Sequence, residues 1–105
     1  MFVGVLRLTF HIPHARSLKD KRRVVLKFRD RVRSRFDVSI AEVGAQDKLQ
    51  RAVFGVSVVS SDGAVCDSVL EQVARVAETQ EDAVLTDRAT ELVPMGDDLY
   101  GAGDG

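Results

Sequence analysis

Two hydrophobic rhythms alternate along this chain, and their order restricts it to very few folds. Residues 2–12 (Phe-Val-Gly-Val-Leu-Arg-Leu-Thr-Phe-His-Ile) have a period of two, with Leu6, Leu8, Phe10 and Ile12 on one side and Val5, Arg7, Thr9 and His11 on the other. That is the pattern of a half-buried strand. Pro13 has no N–H for the ladder, so the strand ends there. From Ser17 to about Phe36 the rhythm becomes helical, with Leu18, Val25, Phe28, Val32 and Phe36 on one stripe. Ser17 suits the N-cap, and Asp20 three residues later approximates a capping box. Period two returns in residues 37–43 and in the β-branched run 52–60, across a polar connection at 44–50. Ser61-Asp62-Gly63 marks a turn and cap before a second helix, whose buried stripe is expected to hold Val65, Val69, Val73, Val76 and Ala77. Residues 83–93 read as a last strand with broken alternation.

The order β-α-β-β-α-β with right-handed crossovers predicts an α+β fold. It is a ferredoxin-like sandwich, a four-stranded antiparallel sheet with both helices on one face. A chain of 105 residues, 45% of them apolar, has room for one core. We place the domain at residues 1–95. Residues 96–105, with four Gly and three Asp, are expected to be a disordered tail. The single cysteine, Cys66, excludes an intrachain disulfide and suits a reducing cytoplasm. No apolar run approaches the ~20 residues that span a bilayer, so no membrane partner is expected. The first residues lack a basic region and are interrupted by Arg7, unlike a signal peptide. The sheet face without helices should carry Val3, Val5, Val53, Gly55, Ser57 and Val59. A mildly apolar open face of this kind suggests a homodimer, through that face or an edge strand.

Net charge is −1, but the charges are segregated. Residues 1–36 hold eleven of the fifteen basic side chains against two acids, leaving +9; residues 37–105 hold four basic side chains against fourteen acids, leaving −10. Such asymmetry points to a polyanionic partner, or to one copy's basic part meeting an acidic part elsewhere. Arg16, Lys19, Lys21, Arg22 and Arg23 crowd the start of the first helix. Unpaired N–H groups and a partial positive charge already sit there, so each cation is unfavourable by ~0.3–1 kcal/mol at an exposed site. A bound anion would reverse that sign. At 100° per residue Lys19, Arg22, Leu26, Arg29 and Arg33 share one flank, Lys21, Val24, Arg31 and Arg35 the other, and Arg23 and Lys27 point outward. The Lys19–Arg33 flank extends ~21 Å, enough to follow several phosphates. The nucleic-acid or anion site expected from sequence is therefore Arg16, Ser17, Lys19, Lys21, Arg22, Arg23, Arg29 and Arg33. With five Phe, one Tyr and no Trp, mostly spent on the core, base stacking on the sheet is not expected. Contacts should go to phosphates and to RNA shape.

The run Ser17-Leu18-Lys19-Asp20-Lys21-Arg22-Arg23, after a first strand and a short loop, resembles the YlxP-like family of small bacterial proteins of unknown function. The resemblance continues through residues 37–44 (Asp-Val-Ser-Ile-Ala-Glu-Val-Gly), Gln46-Asp47 and Gln50-Arg51-Ala52, and covers most of residues 1–92. It implies a ferredoxin-like fold and dimers. In some bacteria the family's genes lie among those for translation initiation and ribosome maturation factors, which suggests an RNA or ribosome role. No activity, cofactor or catalytic residue comes with it.

Other chemistry is weakly represented. An acylphosphatase-like enzyme needs an Asn to position water, and the chain contains none. His11 and His14 straddle Pro13 with no third ligand near, so no metal site is expected; one should cap the strand end and the other face solvent. Cys66 reads as a small buried hydrophobe and Ser17 as a cap. Glu42 and Glu91 read as partly buried carboxylates that pair with the basic helix. The expected function is non-enzymatic and cofactor-free: a cytoplasmic RNA- or ribosome-associated protein gripping phosphates with its first helix. The alternative is an interaction or assembly module whose basic helix docks an acidic protein partner or another copy.

Overall fold

The computed structural model describes residues 1–96. Of the expected tail, 97–105 lie outside the described residues. The elements follow the expected order: β1 (Phe2–His11), α1 (Leu18–Arg35), β2 (Ser39–Gly44), β3 (Arg51–Ser60), α2 (Gly63–Glu78) and β4 (Val84–Pro94). The strands form one sheet in the order β2-β3-β1-β4, antiparallel throughout. Both crossovers bring their helices to the same face, giving the ferredoxin-like fold.

The period-two prediction for β1 holds: Leu6, Leu8, Phe10 and Ile12 are all buried. Opposite them β3 turns in Ala52, Phe54, Val56 and Val58. Phe10, Phe28 and Phe54, one each from β1, α1 and β3, meet edge to face with centroids 4.9–5.8 Å apart. The aromatics are thus spent on the core, where such pairs add to area burial. Gly4 lets α2 approach β1, since a Cβ there would lie 2.8 Å from Leu70 Cδ1.

The helix stripes differ from expectation in phase. Leu18, at the first position of α1, is 58% exposed. Val65 is also exposed; α2 buries Cys66, Leu70, Val73, Ala74, Val76 and Ala77. Two bulges explain the imperfect alternation of the edge strands. One lies between β1 and β4 at Thr9/Phe10, the other between β2 and β3 at Glu42/Gly44. The second turns Val43 outward against Gly55 while Glu42 stays half-buried toward α1. On the helix-free face stand Val3, Val5, Val53, Gly55, Ser57 and Val59, as the parity predicted.

Candidate functional site

Ser17 caps α1: its Oγ accepts from the Asp20 N–H at 3.1 Å, and Asp20 Oδ2 accepts from the Arg16 N–H at 3.0 Å. The capping box closes one residue further back than its usual form, on the residue before the cap. The acid nearest the helix start is therefore occupied with backbone.

Around this cap the basic side chains divide into two groups. Arg16, Lys19, Arg22 and Arg23 are exposed, and none makes an ion pair among the described residues. They come from the β1–α1 loop and the first two turns of α1, where side-chain direction crowds them around one helix end. The nearby carboxylates are already engaged, Asp20 with backbone, Glu42 with Lys21 and Asp82 with Lys27.

Of the remaining expected members, Lys21 is engaged inside the protein, while Arg29 and Arg33 make contacts at its surface. Lys21 is a correction: it is only 3% exposed and unavailable to an external anion. Its Nζ donates to Ala45 O at 2.6 Å and stands 3.0 Å from Glu42 Oε2. The angles at Glu42 are poor for a hydrogen bond, so that contact is a Coulombic ion pair, and Oε2 has no hydrogen-bond partner. Arg29 holds Asp30 Oδ1 at 3.2 Å, and Arg33 donates to Ile40 O at 3.4 Å. Arg31 caps the C-terminal end of α2 through Val76 O, Thr79 Oγ1 and Gln80 Oε1, which suits a cation at a helix C-terminus. Lys27 lies 3.7 Å from Asp82. Arg33 and Arg35 remain exposed with no ion pair among the described residues, so open positive charge stands at both ends of α1, with four cations at its start.

Glu42 pairs with the basic helix as expected. Glu91 does not: it is exposed, opposite Val5 on the helix-free face, with the sheet between it and α1. His11 Nδ1 lies 3.1 Å from Gln50 O at the strand end, and His14 is exposed. Cys66 is buried, its thiol pointing at the Phe2 and Val58 carbonyls. Among the described residues no group of three His, Cys, Asp or Glu could hold a metal, and no helix is long and apolar enough to cross a membrane.

Sequence reasoning missed three cations outside α1. Arg7, Lys48 and Arg51 line a basin on the helix-free face. Arg7 and Arg51 were visible only as isolated charges, and the strand pairing that joins them is non-local.

Comparison with known proteins places the chain in a family and agrees with the fold. A family model described as a protein of unknown function, DUF503, matches residues 3–90. An uncharacterized protein, YlxP, of Bacillus subtilis strain 168 is 39% identical over 71 residues, spanning 68% of this chain and 77% of that protein. Among solved structures, the de novo designed protein Foldit4 superposes with a TM-score of 0.53 at 10% identity, covering 91% of this chain and all of the design. A C-terminal segment of the aIF2 alpha subunit from Pyrococcus abyssi gives 0.45 at 16% identity, over 90% of this chain and 51% of that one. The first is a likeness of fold alone, and the second is too loose to carry an argument.

Proposed function

Because the chain belongs to the DUF503 family, whose function is unknown, its role must be argued from its own surface, and we propose that it is a non-enzymatic RNA-binding protein. The start of α1 grips backbone phosphate. One observation carries this reading: Arg16, Lys19, Arg22 and Arg23 stand exposed around a helix N-terminus and make no ion pair among the described residues. Elsewhere on α1 Lys21, Lys27 and Arg29 have acidic partners. Stability alone would favour acids in that first turn, so an external anion is the economical explanation. Phosphate contacts position a nucleic acid without reading its bases, and weak sequence preference follows. A ribosome-associated and cytoplasmic setting is part of the proposal.

The test is fluorescence anisotropy with a generic structured RNA between ~50 and ~200 mM salt. Log affinity should fall linearly with log salt, and Arg22→Ala with Arg23→Ala should reduce the slope by about two. No binding at ~50 mM salt would sink the RNA reading and leave an acidic protein partner for the same four cations.

A second reading concerns self-association. Val59, Val3 and Val93 lie side by side across β3, β1 and β4, with Val5 two residues further along. Val5, Val59 and Val93 are exposed. This patch supports a homodimer through the open face. Sedimentation equilibrium should then give twice the chain mass, and Val59→Asp should return a monomer.

A further inference from the structure

The helix-free face carries a second cationic feature, beyond Val5 toward the end of β1 that leads into α1. Thr9 pairs with Val53 on one side and Asp87 on the other, and these three lie in an open basin of about 480 Å³. Arg7 enters it from β1, Arg51 from β3 and Lys48 from the β2–β3 loop. Asp87 is the one carboxylate in the lining, and it holds Arg7 at 3.3 Å. Lys48 and Arg51 make no ion pair among the described residues. Three cations against one carboxylate leave +2.

The loop is held in place. Ala45 adopts φ 58, a left-handed conformation that non-glycine residues seldom take. Lys48 N–H donates to Ala45 O at 3.0 Å, closing a turn, and the buried Lys21 ammonium holds the same carbonyl from the helix side. Gln50 Nε2 ties the loop's far end to Pro13 O and Ala15 O. Lys48 thus lies on a loop fastened at both ends and Arg51 directly after it, and such strain persists only where surroundings enforce it.

We infer that this basin is a separate phosphate-binding site. It stands on residues of its own and does not depend on the helix reading. A phosphate between Lys48 and Arg51 would neutralise both through charge-assisted hydrogen bonds, with Thr9 supplying a hydroxyl on the floor. The basin has room for more than a bare phosphate, which fits a phosphate carried by a nucleotide or by a nucleic-acid backbone. Val53 offers the apolar floor a sugar or base would cover.

The experiment is an NMR titration of the full chain with inorganic phosphate, ionic strength balanced by chloride. Saturable shifts are expected at Arg7, Lys48 and Arg51, lost in a Lys48→Ala/Arg51→Ala variant and retained in Arg22→Ala/Arg23→Ala. Asp87→Asn should tighten binding about two- to threefold, by removing the negative charge in the lining and releasing Arg7 from it. A purely structural Asp87 would give no such gain. Repeating the titration with adenosine monophosphate and a ten-nucleotide oligouridylate separates the sources. Oligonucleotide binding more than tenfold tighter assigns the phosphate to a chain, and comparable affinities assign it to a free nucleotide. The site is overturned if phosphate shifts these residues no more than chloride does, or if Lys48→Ala/Arg51→Ala binds like the parent. Loss of RNA binding in Arg22→Ala/Arg23→Ala, with the phosphate shifts intact, bears on the helix alone.

Discussion

Replacing Lys21 by methionine separates a structural cation from a binding one. The methionine keeps the unbranched stem in the space under β2 and deletes the ammonium. Ala45 O then keeps one donor, Lys48 N–H, while Glu42 Oε2 loses its only cation. Breaking a buried pair by removing one partner costs ~3–5 kcal/mol. The Glu42 side chain is 21% exposed, so water at its outer edge relieves part of that penalty. We therefore expect ~2–3 kcal/mol, a large fraction of a domain stability of ~5–15 kcal/mol. At ~4–8 °C per kcal/mol for a domain this size, Tm should fall by ~10–20 °C. Urea denaturation should show the midpoint lowered with an unchanged m-value. Lys21→Met/Glu42→Leu should recover most of the loss, because an apolar pair of similar volume replaces the ion pair. The coupling energy from the full cycle should exceed ~1 kcal/mol. At a temperature where Lys21→Met remains folded, the salt slope of RNA binding should be that of the parent. A Tm within ~2 °C of the parent would refute the reasoning about burial, and a reduced salt slope would return Lys21 to the binding surface.

Further substitutions probe the frame that holds these surfaces. Gly4→Ala should cost ~1–3 kcal/mol by overpacking, since the new methyl meets Leu70, Cys66 and Val58 within 3.3 Å; thermal denaturation reads it. Ser17→Ala removes the acceptor for Asp20 N–H and should cost ~1 kcal/mol in urea denaturation, with faster hydrogen exchange in the first turn of α1. Phe28→Ala empties the centre of the aromatic cluster and should cost ~3–5 kcal/mol, measurable as a fall in Tm. Arg29→Ala should leave the RNA salt slope nearly unchanged, because Arg29 already holds Asp30.

The element order, the strand parities, the N-cap and the basic helix were legible in the residues, because periodicity and capping are local properties that a chain states in consecutive positions. The phase errors have identifiable causes. Leu18 fits the apolar stripe but stands exposed at the first position of the helix, and Lys21 breaks the stripe but is buried on it. Lys21 lies four residues before Val25 and seven before Phe28, a buried position on α1 by spacing alone. Its charge argued for solvent, and only the tertiary fold supplies Glu42 and the Ala45 carbonyl to receive it. The same limit applies to Arg7, which lies far along the chain from Lys48 and Arg51 and is brought to them only by the pairing of β1 with β3. By itself the sequence determined which segments are helix or strand and where positive charge accumulates, since these follow from each residue and its near neighbours. The tertiary structure decided which cations are consumed and which remain open, because pairing depends on carboxylates and carbonyls that distant segments bring within a few ångströms.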